Sequence, residues 1–454
     1  MAVLGINQEI LLTIKRIGIN GEGIGYYKRL AVFVDYALPN EECVVRITEV
    51  HDKYAVGRLV LVKDKINPAR CDAKCPYYKK CGGCDLMHVN YETQLKLKKD
   101  IVKESFTRYY NDSLNDKLFK DTIGMDKPWR YRNKAKLPVR YDNHHLVTGL
   151  YAKEDNRLVY IDDCIVERED IRNCNKEILD YLTKYQVIAY NPKLKDGVLR
   201  HIVLRSSKKT GEIQVTLILY KDDERTKKIA ADLINIKNVV SVYISINSDL
   251  DALENFGENT YLLCGKETIT EELLGYNFEL LPTAFFQLNL EQTEKLYDVV
   301  LKNCNLKGNE KIIDGYCGVG TIGIYLSKFA EEVRGIDTNK ESIINANANA
   351  KLNNIANASF YCGDMGSLIT KWNKEGFNAD ILVIDPPRTG LDHKMITFLQ
   401  THPVKKIVYV SCNPSTLAKN CSHLEKLYNI RSIQPLDMFP QTANVECVVC
   451  LERR

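Results

Sequence analysis

A cysteine between a predicted strand and a predicted helix is the clearest candidate for chemistry. Residues 406–410 (Lys-Ile-Val-Tyr-Val) have the β-branched and aromatic content of a buried strand. Ser411, Cys412 and Asn413 follow, and Pro414 stands where the first residue of a helix is expected. The positive end of a helix lowers the pKa of a thiol and populates the nucleophilic thiolate. Cys412 is therefore a candidate nucleophile, although an isolated cysteine is more commonly a buried structural residue.

A glycine-rich turn and three acidic residues indicate a cofactor site. The segment 315–323 (Gly-Tyr-Cys-Gly-Val-Gly-Thr-Ile-Gly) follows a predicted strand and contains the spacing Gly-x-Gly-x-x-Gly of dinucleotide sites, so a nicotinamide enzyme is one alternative. Asp337, Asp364 and Asp385 follow the next predicted strands, and Asp385 opens an Asp-Pro-Pro-Arg sequence. The carboxylate of Asp337 can bind the two ribose hydroxyls of either cofactor, whereas acidic residues at successive strand ends, with Asp-Pro-Pro on the fourth strand, favour S-adenosylmethionine. Strand–helix alternation from residue 283 predicts a doubly wound parallel sheet.

Four cysteines within fourteen residues indicate a metal site. They are Cys71, Cys75, Cys81 and Cys84. A zinc ion held by all four is one interpretation. A 4Fe–4S cluster held by the last three and a remote fourth cysteine is the other. A radical enzyme needs Cys-x3-Cys-x2-Cys, whereas the spacings here are x3, x5 and x2.

The composition indicates a globular protein of a reducing compartment. The chain has 454 residues, of which 45% are hydrophobic and 27% charged, and a net charge of +4. A nucleic-acid partner would therefore be bound by a local basic patch. The 15 cysteines without a secretory signal argue against disulfides and predict a cytoplasmic protein. No stretch approaches the ~20 apolar residues of a membrane span, so no membrane partner is predicted.

The elements before the cofactor site have features of RNA binding. Residues 4–62 alternate short strands with turns and predict a small closed β-barrel, in which Tyr26, Tyr27, Lys28 and Arg29 fit either RNA contacts or an ordinary hairpin. The lysines of a predicted helix at 91–110 are most simply a solvated face. Residues 127–137 interleave aromatic with basic side chains, which favours RNA binding over a charged strand. Mixed α/β structure is predicted for 137–250, where Arg200 adds positive charge and His201 is most simply structural.

These motifs together resemble those of the RNA 5-methyluridine methyltransferases over nearly the whole chain. The residues that carry the resemblance lie in Phe285-Phe286-Gln287, Asp314-Gly-Tyr316-Cys-Gly, Asp385-Pro-Pro-Arg388, Ser411-Cys412-Asn413-Pro414 and Val445-Glu446. The N-terminal stretch resembles a TRAM domain, a small RNA-binding barrel. The resemblance is closest to the iron–sulfur members that methylate uridine in 23S ribosomal RNA.

The resemblance implies a role for particular residues. The implied contacts to S-adenosylmethionine are Gln287, Tyr316, Asp337 and Asp385. The implied ligands of a 4Fe–4S cluster are Cys75, Cys81, Cys84 and Cys164. Cys412 falls on the family's nucleophile and Glu446 on its general base. The chain departs from the family at Asn444, where a histidine often precedes the base by two residues.

The chemistry of uracil explains the need for a thiol and a carboxylate. C5 is a weak nucleophile until a thiolate adds to C6; C5 then attacks the sulfonium methyl, and a base removes the C5 proton so that the thiolate leaves. The target base must be unstacked from its neighbours, and Phe285 can stack on it or fill its place. Asp385 can hydrogen-bond the uracil edge.

We therefore predict a multidomain α/β protein with three parts. They are an OB-like, TRAM-like β-barrel (residues 1–64), a central α/β RNA-binding module with the cluster (residues 65–282) and a Rossmann-like S-adenosylmethionine-dependent methyltransferase domain (residues 283–454). We expect the segment 91–118 to pack on the last domain. The predicted protein acts as a monomer.

The predicted function is methylation of uridine C5 in 23S ribosomal RNA through a covalent cysteine–C6 intermediate. One alternative is the same chemistry on a transfer RNA uridine. A second is a nitrogen-directed nucleic-acid methyltransferase, which needs no thiol and usually has an aromatic residue where this chain has Arg388. A third is a non-catalytic RNA-binding metalloprotein, against which the complete donor site and Cys412 argue.

Overall fold

The chain divides into two compact units. The computed structural model describes residues 4–63, 65–110, 113–155, 157–250 and 256–454. The first unit comprises Met1–Pro128, Pro386–Pro403 and Tyr409–Arg454, and the second comprises Trp129–Asp385 and Val404–Val408. The predicted domain boundary at residue 64 lies outside the described residues, and the three predicted domain ranges stay predictions.

Strands and helices occupy most of the described chain. The strands are β1 (Glu9–Ile17), β2 (Gly23–Tyr27), β3 (Leu30–Val34), β4 (Glu42–Val50), β5 (Tyr54–Val62), β6 (Lys134–Asp142), β7 (His145–Tyr151), β8 (Leu158–Tyr160), β9 (Leu199–Ser206), β10 (Ile213–Leu219), β11 (Val239–Ile246), β12 (Asn259–Gly265), β13 (Ile269–Leu273), β14 (Tyr276–Leu280), β15 (Lys311–Gly315), β16 (Glu332–Asp337), β17 (Ala358–Cys362), β18 (Ile381–Ile384), β19 (Lys406–Ser411), β20 (Tyr428–Leu436) and β21 (Glu446–Arg453). The α-helices are α1 (Tyr91–Tyr110), α2 (Glu169–Lys184), α3 (Glu224–Ala231), α4 (Leu290–Cys304), α5 (Thr321–Ser327), α6 (Lys340–Leu352), α7 (Met365–Lys374), α8 (His393–Thr401) and α9 (Pro414–Leu424). None of the helices in the described ranges is long and apolar enough to cross a bilayer.

The first unit begins with the predicted barrel. Strands β1-β2-β3-β5-β4 form a closed barrel in which β3 and β5 pair in parallel. Side chains along β1 alternate between buried and exposed, as a half-buried strand requires, and Ile10, Leu12 and Ile14 enter the barrel core. The barrel prediction is confirmed.

The rest of the first unit joins α1 to the C-terminal elements. Helix α1 packs against α9, and β20 pairs with β21 in an antiparallel hairpin. A short 3-10 helix, Asp116–Leu118, lies beside β20. The expectation that the segment 91–118 packs on C-terminal elements is therefore confirmed.

The second unit contains a central sheet with the order β12-β11-β10-β9-β6-β7-β8. Helix α2 covers this sheet with an apolar face, and its buried residues Ile171, Ile178 and Leu182 enter the same core as β9 and β10. The mixed α/β prediction for 137–250 is confirmed. The short edge strand β8 has three residues and pairs with β7 in an antiparallel arrangement.

The second unit also contains the predicted doubly wound sheet. Strands β17-β16-β15-β18 are neighbours in that order and pair in parallel. Helices α5, α6 and α7 connect these strands, so their carboxyl ends lie along one edge, where ligands bind in such sheets. Strand β19 is divided between the units: its first residues lie in the second unit and its last residues in the first. In the first unit, β21 and β20 follow β19 in the strand order of the sheet.

Candidate active site

In the second unit, the turn after β15 and the end of β16 form one hydrogen-bonded corner. The carboxylate of Asp337 accepts the backbone N–H of Gly318 at 3.0 Å and that of Asn339 at 2.8 Å. These contacts fix the carboxylate at the carboxyl end of its strand, the position expected to bind a ribose. Asp337 thus lies at a strand end, and its contact with the methyl donor stays a prediction.

The turn adopts a backbone conformation that brings it close to a ligand position. Tyr316 has a φ of 63°, Gly318 of 53° and Gly320 of 83°. A Cβ on Gly320 would lie 2.8 Å from the Phe360 ring, whereas a Cβ on Gly318 would meet no atom within 4 Å. Gly320 is therefore needed for packing, and Gly318 leaves open space beside the turn. A tyrosine at positive φ is uncommon, and such strain concentrates at ligand sites.

Two carboxyl groups at the same strand ends have unusual pKa values. Asp314 is buried at the end of β15 and accepts the N–H of Gly323 at 2.8 Å. Burial raises the pKa of Asp314 to about 8 and that of Asp385 to about 6. Desolvation disfavours the charged form of each group, so a cationic ligand bound close to them would lower both pKa values. Sequence reasoning did not select Asp314, although it directly precedes the glycine-rich turn.

The other residues predicted in this unit, Asp364, Gln287 and Phe285, differ in their contacts and exposure. Asp364 caps α7, since its carboxylate accepts the backbone N–H of Ser367 at 2.9 Å. Capping the helix therefore explains why an acidic residue stands at this position. The backbone oxygen of Gln287 accepts from Asn133 at 3.1 Å, which anchors the segment before α4. Phe285 is 68% exposed, as a side chain that stacks on a base requires.

In the first unit, Cys412 lies where the sequence predicted, between β19 and α9. Asn413 caps the helix, and its side-chain oxygen accepts the N–H groups of Ser415 at 3.1 Å and Thr416 at 3.4 Å. Pro414 is the first helical residue, and Cys412 is partly exposed. The thiol thus directly precedes a capped helix N-terminus.

Arg388 joins the surroundings of Cys412 to those of Glu446. Its backbone oxygen accepts from Asn413 and from Thr416, each at 3.2 Å. Its guanidinium donates to the side-chain oxygen of Asn444 at 3.1 Å, two residues before Glu446. Glu446 is buried and begins β21. The departure at Asn444 therefore gives this segment a hydrogen bond to Arg388.

A buried lysine holds the segment before Glu446. Lys98 of α1 is fully buried and donates to the carboxylate of Asp437, to the backbone oxygen of Phe439 at 3.1 Å and to that of Asn444 at 2.7 Å. Tyr91 donates to the other oxygen of Asp437 at 2.7 Å. Three acceptors for three N–H bonds match an ammonium group, although burial lowers the pKa of Lys98.

The solvated-face interpretation of the α1 lysines is wrong for Lys98. It lies four residues after buried Gln94 and three before buried Ile101, so helical spacing assigns it to the buried face. A lysine on an apolar stripe was the available signal, and its partners lie more than 300 residues away in sequence.

The loop that contains Cys75, Cys81 and Cys84, called the cysteine loop below, is hydrogen-bonded to the segment before Glu446. The backbone N–H groups of Asp85 and Leu86 both donate to the oxygen of Gln441, at 3.0 and 2.9 Å. Cys81 is buried, and its sulfur accepts the N–H of Gly83 at 3.3 Å. Thiols suit iron as ligands, but within the described residues no three or more His, Cys, Asp or Glu side chains are arranged to hold a metal ion.

The basic segment around residue 130 is largely engaged within the second unit. The guanidinium of Arg130 binds both carboxylate oxygens of Asp163 at 2.6 Å and the backbone oxygen of Cys164 at 3.0 Å. Lys134 is buried and donates to the backbone oxygen of Pro282 at 2.9 Å. Arg130 therefore orders the loop of Cys164, and RNA binding by residues 127–137 stays a prediction.

Comparison with known proteins identifies the family. Residues 90–454 match the model of tRNA (uracil-5-)-methyltransferases, and residues 5–60 match the TRAM domain. An uncharacterized RNA methyltransferase of Bacillus cereus is 44% identical over 99% of this chain and 98% of its own, and one of Enterococcus faecalis is 43% identical over 98% of each chain.

A solved structure agrees with this assignment. The crystal structure of Pyrococcus abyssi tRNA (uracil-54, C5)-methyltransferase with S-adenosyl-L-homocysteine is 28% identical, has a TM-score of 0.75 and covers 97% of this chain and 100% of its own. This likeness agrees with a methyltransferase fold for this chain, and the TRAM match agrees with the closed barrel of the first unit. The chain therefore belongs to the S-adenosylmethionine-dependent RNA (uracil-5-)-methyltransferase family.

Proposed function

We propose that this protein methylates C5 of a uridine in 23S ribosomal RNA, as a cytoplasmic monomer. The observation that carries the uracil chemistry of this proposal is the hydrogen-bonded link in the first unit from the Cys412 loop through Arg388 to Asn444, next to Glu446. The choice of 23S ribosomal RNA rests on the resemblance to the iron–sulfur members of the family. A thiol at a helix N-terminus and a buried carboxylate are the nucleophile and base that uracil C5 chemistry needs.

Each proposed group has one task. The thiolate of Cys412 adds to C6 of the uracil, and C5 then attacks the methyl group of S-adenosylmethionine, whose sulfur keeps the electron pair of the broken S–C bond and leaves as S-adenosylhomocysteine. Glu446 removes the C5 proton, and the electron pair of that C–H bond expels the thiolate. Gln287, Tyr316, Asp337 and Asp385 bind the donor, and the two backbone N–H groups on Asp337 fix that carboxylate for a ribose.

A strained turn of the barrel supports RNA as the substrate. Lys28 and Arg29 form the two-residue turn between β2 and β3 with φ values of 46° and 77°. Such turns favour Asn and Gly, so two long cations here are costly for folding and fit a role in binding phosphate.

Transfer RNA is the second candidate substrate. The similar Pyrococcus abyssi enzyme is named for a transfer RNA uridine, which favours this alternative. The same pocket chemistry serves either RNA.

The test uses unmodified transcripts of 23S ribosomal RNA and of transfer RNA with S-adenosylmethionine. We expect mass spectrometry of the digested RNA to find 5-methyluridine in the ribosomal transcript only. Methylation of transfer RNA alone would replace the proposed substrate, and a methyl group on a base nitrogen would overturn the reaction.

We also propose that Cys75, Cys81, Cys84 and Cys164 hold a 4Fe–4S cluster. The cysteine spacing and the buried, hydrogen-bonded sulfur of Cys81 support this proposal. When bound, the cluster crosslinks the cysteine loop and adds no chemistry to a reaction that moves no electrons. Since Asp85 and Leu86 bind Gln441, an ordered loop also orders the segment that leads to Glu446.

Replacing Cys81 by serine is expected to remove the iron and the acid-labile sulfide from anaerobically purified protein. The matched control is Cys71→Ser, which changes the cysteine outside the proposed ligand set and should keep both. Iron, sulfide and zinc analysis measures the outcome. Zinc that is lost in both variants would contradict the cluster and favour a local four-cysteine site.

A further inference from the structure

A cavity of about 370 Å³ opens on the central sheet of the second unit, outside the sites described above. Its volume lies within the roughly 300–1,000 Å³ of ligand sites. Its lining includes Arg140, Tyr151, Tyr190, Arg200, His201 and Leu250. Strands β6, β7 and β9 supply most of them, so the cavity is built on rigid elements.

The cavity carries positive charge. Arg140 and Arg200 donate to backbone oxygens, at 2.7 Å to Val139 and 2.8 Å to Asp249 respectively. In the described part of the chain, neither guanidinium forms an ion pair with a carboxylate. Burial lowers the pKa of Arg200, and the charge of Asp249 opposes this with a smaller effect. The guanidinium groups thus keep N–H donors for an anion.

Two buried polar atoms of the cavity have no internal partner. Tyr190 is 2% exposed and stacks on Tyr220 with ring centroids 4.3 Å apart; its hydroxyl lies near the Tyr220 side chain but has no partner in good hydrogen-bond geometry among the described atoms. Nδ1 of His201 likewise has no hydrogen-bond partner among these atoms. Burial and the nearby guanidinium groups lower the pKa of His201 to about 4, so the ring is neutral at pH 7. Buried polar groups nearly always have a partner, so these atoms point to a ligand.

We propose that this cavity binds one unstacked nucleotide of the substrate RNA, other than the uridine that is methylated. Its base stacks on Tyr151, which is 44% exposed, and its phosphate binds Arg140 and Arg200. The inference rests on the proposed function in one respect, that the substrate is RNA.

The test measures binding of fluorescein-labelled single-stranded heptamers of uridine and of adenosine by anisotropy. Tyr151→Ala should weaken binding about tenfold, since stacking on one aromatic ring is lost. Arg140→Ala should lower the slope of log affinity against log salt by about 0.7, the value for one phosphate contact on a single strand. The matched controls are Tyr160→Ala and Arg157→Ala, which change exposed side chains outside the cavity and should bind as wild type.

Three results would overturn the proposal. The first is unchanged affinity and salt slope in the cavity variants. The second is a loss of affinity in the controls equal to that in the cavity variants. The third is displacement of the heptamers by uridine or adenosine monophosphate alone, which would make the cavity a free-nucleotide site. Binding needs no methyl transfer, so a Tyr151-dependent affinity supports the cavity even if the enzyme leaves uridine unmethylated.

Discussion

Replacing Cys412 by alanine is expected to lower the rate of methyl transfer by about 10⁴-fold or more. Without the thiolate, C5 of uracil is not activated, and the remaining groups position the two substrates without making the reaction possible. Binding of S-adenosylmethionine should be unchanged, because the proposed donor contacts are other residues. Single-turnover methylation of RNA and calorimetry of donor binding measure the two effects separately.

The matched control is Cys421→Ala, in the helix that Cys412 precedes. Cys421 is fully buried, and burial raises the pKa of its thiol well above the ordinary value, so it is unsuited to act as a nucleophile. This variant should retain its rate with a small loss of stability. A similar loss of rate in both variants would mean that Cys412 acts through the stability of α9.

Replacing Lys98 by methionine is expected to destabilise the protein by about 3–5 kcal/mol. The substitution keeps an unbranched side chain and removes the ammonium group, so the buried carboxylate of Asp437 loses its counter-charge and the oxygens of Phe439 and Asn444 lose a donor. Urea unfolding followed by circular dichroism measures the change. The methylation rate should also fall, because the segment before Glu446 loses its anchor.

The control on the same helix is Lys96→Met. Lys96 pairs with Glu92 at 2.7 Å on the exposed surface, where solvent screens the pair, so the substitution should change stability little. Adding Asp437→Leu to Lys98→Met should recover much of the stability, since no charge then stays buried alone. Equal effects of the two lysine substitutions would contradict the assigned role of Lys98.

Local signals predicted the elements that carry the candidate site. Apolar runs and Pro414 gave β19 and the start of α9, and the apolar stripe gave α1 with its observed ends. The glycine-rich turn after β15 was predicted from its residue spacing, because the geometry of such a turn depends on residues that are neighbours in the sequence. In each of these cases the physical cause lies within one turn or strand of the chain.

Contacts between distant segments were not predictable in the same way. Lys98 and Asp437 are 339 positions apart, and the link from Arg388 to Asn444 joins two loops. Their side chains look like ordinary surface groups until tertiary packing buries or pairs them. For the same reason, the pairing of Arg130 with Asp163 was not predicted.

The central claim is that Cys412 becomes covalently bonded to the uracil. The most direct measurement gives the anaerobically purified protein S-adenosylmethionine and 5-fluorouridine-containing ribosomal RNA, and then searches for a protein–RNA adduct that survives denaturation. Fluorine at C5 does not leave as a proton does, so the adduct should accumulate after methyl transfer and map to Cys412. An adduct on another residue, or none from protein that binds the donor, would contradict the mechanism.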